Sequence, residues 1–202
     1  LGQVMDESRP LDVFRKRALA NGGGLMRMID SVTDVVGGST DNAREYTELS
    51  TRMHIVGEGN VLTLFRLGEL MAYNEAEKTI YRRCAQDEAR HVAIGVLHAR
   101  YLKECSPERM EEVHSYLDEA ENRQSSGAGG ENPAARNMLT SEALAVLLGG
   151  GKDKTDEGQK ILMAVRQKQV KEYFQRLKSA GLDERITNGR VNPALLEVYK
   201  SA

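Results

Sequence analysis

Asp87-Glu88-Ala89-Arg90-His91 decides how this chain is read. It sits inside a long pattern of helix formers, with no proline or glycine from Glu75 to Ile94. A Glu and a His three residues apart on a helix are separated by about 60° around the axis, so carboxylate and imidazole share one face. Both are metal-ligand side chains, and the pairing asks for a partner on a facing helix.

Glu58 answers that demand. Residues 41–72 and 75–104 both read as helix, and Tyr73-Asn74 stands between them as a turn. With a reversal at Asn74 and ~1.5 Å of rise per residue, Glu58 lies roughly 24 Å along one arm and Glu88 roughly 21 Å along the other. His91 falls at roughly 25 Å by the same rule. The spacing predicts an antiparallel pair with Glu58, Glu88 and His91 meeting between the helices. Val56-Gly57-Glu58-Gly59-Asn60 flanks the acid with two glycines. Each costs roughly 1 kcal/mol in a helix interior relative to Ala. They imply a close helix approach, a local distortion such as a π-bulge, or a helix break that leaves Glu58 solvated.

Glu58 followed by Gln86-Asp87-Glu88-Ala89-Arg90-His91-Val92-Ala93-Ile94-Gly95 resembles the second half of the metal site in the ferritin-like di-iron carboxylate proteins. These include the ribonucleotide reductase small-subunit type, the bacterial multicomponent monooxygenases and the arylamine N-oxygenases. The resemblance covers residues 41–105. It implies an all-α, ferritin-like helical bundle with metal ligands Glu58, Glu88 and His91, and with Asp87 and Arg90 behind them. Residues 41–105 then form the metal-site helix pair of one helical domain spanning 1–202, and residues 106–202 supply accessory C-terminal helices.

The family has two such halves, and the first is imperfect here. Asp6-Glu7-Ser8-Arg9-Pro10 echoes Asp87–His91, but Pro10 stands where the second histidine belongs. Two readings stay open. Glu7 is a remaining ligand on a helix that belongs to a larger bundle, or Asp6 or Ser8 caps a helix beginning near Arg9, with proline in its first turn. Under the first reading the chain starts partway through a bundle helix. The bundle is then incomplete unless upstream helices or a second copy of the chain are added, and a homo-oligomer is expected. Glu45 and Glu48 are further carboxylate candidates, about three turns from Glu58.

Other histidines invite comparison. His54 precedes Glu58 by one turn and His98 follows His91 by two, so three imidazoles can line one seam. His54 is either an additional ligand or a buried hydrogen-bonded histidine, and the same choice holds for His98. In the N-oxygenase branch a third histidine ligand lies one turn before the second-half Glu, where this chain has Cys84. The reductase branch places its radical tyrosine where this chain has Phe14, so no equivalent radical is expected. His114 reads as exposed, and Lys168, Lys171, Arg176 and Lys178 read as a solvated helix face. Gly149-Gly150-Gly151-Lys152 lacks the spacing of a phosphate loop.

The rest of the chain reads as helices broken by glycine. Helices are expected at 11–20, 25–36, 106–123, 141–148 and 156–180, with a last turn or two after Pro193 and a flexible loop at 124–133. A formal net charge of −2 gives no reason to invoke nucleic acid or an anionic membrane surface. No apolar run approaches the ~20 residues that span a bilayer. Cys84 and Cys105 are roughly 31 Å apart along one helix and cannot pair, which fits a reducing cytoplasm.

Carboxylate and imidazole ligands with open positions suit iron or manganese. The resemblance therefore implies a non-haem di-iron, or iron/manganese, oxygenase-type oxidoreductase. Its partners are dioxygen, a small-molecule organic substrate and an electron-donor protein. The other reading, favoured by Pro10, is a ferritin-like bundle without catalysis that serves as a structural or binding protein.

Overall fold

Asn74 sets the hairpin on which the fold is built. Its side chain accepts the backbone N–H of Glu77 at 3.0 Å, capping the helix Glu75–Cys105. Ala72 is extended, so the preceding helix, Glu58–Met71, stops there and the chain reverses. The computed structural model describes residues 2–24, 43–126 and 143–200, and no strand occurs among them. The protein is an all-α helical bundle.

In chain order, α1 is Gly2–Ala20 and α2 is Tyr46–Ser50. The backbone continues without a break into a π-helical stretch, Thr51–Gly57, and then into α3, Glu58–Met71. α4 is Glu75–Cys105. A single turn at Pro107–Arg109 leads into α5, Met110–Ser126. Residues 143–149 form α6, and α7 is Thr155–Ser179. Two short helices close the chain, α8 at Glu184–Thr187 and α9 at Pro193–Lys200.

The main core lies behind the hairpin. Ile55, Leu117, Phe174, Leu177, Leu182 and Val191 are fully buried there, drawn from the π stretch, α5, α7 and the C-terminal turns. Phe174 stacks on Tyr199, with ring centroids 4.3 Å apart, which pins α9 to α7. A smaller cluster of Leu62, Ala85 and Val92 joins α3 to α4. On the opposite side α1 lies along α4, held by Arg9 to Asp87, Arg90 to Asp6 and Arg17 to Glu77. None of its residues is fully buried.

A polar knot anchors the C-terminal turns. Arg185, buried, donates to Glu121 Oε1 at 2.9 Å and to Asp118 Oδ1 at 2.7 Å. Glu121 also accepts from the Tyr173 hydroxyl at 2.5 Å and from the Asn192 backbone at 2.7 Å. A buried carboxylate is tolerable here because its oxygens are met by donors.

Several expectations are corrected. The helix expected from residue 41 to 72 is helical from Tyr46 to Met71, and seven of its residues are π rather than α. α1 begins at Gly2 rather than near Arg9, so Pro10 lies inside a helix. Residues on both sides of Pro10 engage α4, which outweighs the local loss of one backbone bond. α5 continues to Ser126 through the first part of the expected loop, and the rest of that loop lies outside the described residues. So does the helix expected at 25–36. α8 was not anticipated. His114 is half-buried rather than exposed, with Arg185 Nη1 3.3 Å from its Nδ1. Arg176 is buried rather than solvated.

Candidate metal centre

The π stretch shapes the site. Its wider turns carry His54 and Glu58 inward together, and both are buried against α4. Gly95 makes that approach possible, since a β-carbon there would sit 2.6 Å from the His54 β-carbon. Gly59 serves a different neighbour. The Arg176 guanidinium lies across its backbone, where Nε donates to the Ile55 carbonyl at 2.7 Å and Nη1 lies 3.5 Å from the Gly59 carbonyl. Burial pushes the Arg176 guanidinium down to about 10. The helix thus returns from π to α geometry under a side chain that needs a residue without a β-carbon.

Four side chains from three elements converge: Glu7 of α1, Glu58 at the start of α3, and Glu88 and His91 of α4. One ligand-type atom from each lies within 4.8 Å of all the others. His91 Nδ1 is 3.0 Å from Glu7 Oε1, 3.6 Å from Glu58 Oε1 and 3.8 Å from Glu88 Oε2. Glu58, Glu88 and His91 are buried, while the Glu7 side chain is about half exposed. None of these close approaches is aligned as a hydrogen bond. Among the described residues, Glu88 Oε2 and both His91 ring nitrogens are buried with no hydrogen-bond partner. Such atoms cost roughly 1–3 kcal/mol each unless something else satisfies them.

Charge sharpens the point. Burial, followed by the charges of Glu58, Glu7 and Asp87, pushes the Glu88 carboxyl up to about 8. Burial also raises Glu7; His91 pulls it back, and the Glu58 charge raises it further. Three carboxylates around one imidazole, with Glu88 Oε2 and His91 Nδ1 unpartnered and 3.8 Å apart, fit a divalent cation by donor chemistry.

The surrounding residues hold these groups in place. Asp87 takes Arg9 and Arg90, and Arg90 also donates to Asp6 at 2.9 Å. Asp6 Oδ2 lies 3.5 Å from His91 Nε2, and the Arg90 hydrogen bond keeps Asp6 below the usual carboxylate range.

No protein family, curated protein or solved structure matches this chain.

The remaining candidates fall elsewhere. His54 is outside the four converging groups; its Nδ1 is 2.5 Å from Glu58 Oε2, and its ring centroid is 6.1 Å from that of His91. His98 points away, with Nε2 3.0 Å from the Thr47 hydroxyl and its ring edge against Tyr46. Glu45 is spent on Arg109 and Tyr116, and Glu48 on Arg52 and the Arg44 backbone. Burial pushes the Cys84 thiol up to about 11, which disfavours thiolate ligation. Phe14 packs on Phe65 and Tyr81, with centroids 5.8 and 5.4 Å away. Sequence reasoning missed Gln3, Asp6 and Arg9. All three follow from continuing α1 back through Pro10, which sets Gln3, Asp6 and Arg9 at successive i, i+3 positions of one helix.

Proposed function

We propose that this chain is the cation-binding part of a ferritin-like di-iron, or iron/manganese, oxidoreductase that uses dioxygen on a small organic substrate. The observation that carries the reading is the convergence of Glu7, Glu58, Glu88 and His91 with Glu88 Oε2 and His91 Nδ1 buried and unpartnered. The Glu-x-x-His spacing and the facing glutamate agree with it. Glu58, Glu88 and His91 would hold the cation from the buried side, and Glu7 from the half-exposed side. When bound, the metal supplies redox chemistry toward dioxygen. The chain's own residues would bind and orient it, the buried Glu58, Glu88 and His91 away from solvent, and Glu88 would release its proton as the cation enters.

The cluster contains one imidazole, so the described residues supply one histidine to a centre that in this superfamily has two. All four histidines of the sequence lie in the described residues, so we place the second in a partner copy of the chain, with an electron-donor protein as a further partner. Pro10 favours a second reading, a bundle braced by one cation and without catalysis. Oxygen consumption separates the two. Protein loaded with ferrous iron and given dioxygen and a reductant is expected to consume oxygen faster than Glu88→Ala treated identically. Equal rates would leave only the bracing role.

A further inference from the structure

We propose that His54 is a positioning residue for Glu58, turning its carboxylate so that one oxygen is held and the other is left for a cation. The proposal rests on the cation reading of the site. His54 is buried, and its Nδ1 lies 2.5 Å from Glu58 Oε2. The other carboxylate oxygen, Oε1, is the one 3.6 Å from His91 Nδ1, on the side of the four-group cluster. The two oxygens of Glu58 therefore have different jobs.

The far side of the ring selects the tautomer. Gln3 Nε2 of α1 is 3.4 Å from His54 Nε2. An amide nitrogen only donates, so Nε2 accepts, and in a neutral ring the proton then sits on Nδ1, facing Glu58. Gln3, His54 and Glu58 form a relay from α1 to the cluster, and α1 also delivers Glu7. The Gly95 notch fixes the ring's height against α4. A ligand role for His54 would require Nδ1 to leave Glu58 or Nε2 to leave Gln3. As a carboxylate-orienting donor it needs no rearrangement.

Loss of such outer groups weakens metal binding about 10- to 100-fold in well-studied sites. The test is a manganous-ion titration followed by electron paramagnetic resonance on the parent, His54→Ala, His54→Asn and Gln3→Ala, with helical circular dichroism recorded on each. An Asn side chain places an amide N–H near the Nδ1 position. His54→Ala is expected to bind about 10- to 100-fold more weakly, His54→Asn to recover most of that loss, and Gln3→Ala to shift in the same direction by less. Pulsed spectra are expected to show one coordinated imidazole in the parent and in His54→Asn alike. Unchanged affinity in His54→Ala, or equal losses in the Ala and Asn variants, overturns the positioning role alone. A second imidazole signal that disappears in His54→Asn makes His54 a ligand and also overturns it. A parent that binds no manganese overturns the cation reading itself and the proposal with it. Should His54→Ala not fold, the Asn and Gln3→Ala comparisons decide.

Discussion

The Arg176 guanidinium lies against the backbone of Gly59, in space that a β-carbon at position 59 would occupy. One residue beyond Glu58, a proposed ligand, a charged side chain from α7 thus braces the place where π-helix becomes α-helix. Its Nε bond to the Ile55 carbonyl is 2.7 Å long and buried.

Gly59→Ala is therefore expected to destabilise the protein, against the usual gain of about 1 kcal/mol for Ala over Gly in a helix. The new methyl displaces a buried guanidinium from its carbonyl, and an unpaired buried donor costs about 1–3 kcal/mol. Urea denaturation of the two proteins checks this. A variant as stable as the parent, or more stable, would show that Arg176 moves aside without loss.

His98 gives a pH prediction. Burial, and then the Arg109 charge, lower its pKa below the ordinary 6.5, although Glu45 pulls the other way. The folded state thus binds the proton less readily than the unfolded chain. The stability His98 supports is present above about pH 6.5 and is lost as pH falls through the lowered folded value. His98→Gln keeps an amide within reach of Thr47 and removes the titration. The variant is expected to lose less stability than the parent between pH 7 and pH 5, measured by urea midpoints. Parallel curves would contradict this assignment.

Much of the hairpin was legible because its signals are local. Asn74 and the helix formers after it mark a capped α4, and rise per residue alone brings Glu58 opposite Glu88. The glycines around Glu58 left a close approach, a distortion and a helix break all open, and did not say what each served. Gly59 is explained by Arg176, more than a hundred residues away, and such a contact leaves no periodic trace. Arg176 itself looked like part of a charged surface because its neighbours on α7 are charged. Pro10 misled for the opposite reason. Its local cost argued for a helix start, whereas the ion pairs of Asp6, Arg9 and Arg17 with α4 decide the matter at a distance. The convergence of Glu7 on His91 depends on that longer α1.

The most direct test of the account is the metal content of protein purified without chelators, measured by mass spectrometry on the parent and on Glu88→Ala. Glu88 carries an unpartnered buried oxygen and stands among the other three groups, so its truncation removes a proposed ligand. The account predicts about one iron or manganese ion per chain in the parent, little or none in the variant, and closely similar helical circular dichroism in both. Equal metal content in the two proteins, or none in a parent supplied with both ions, would contradict it.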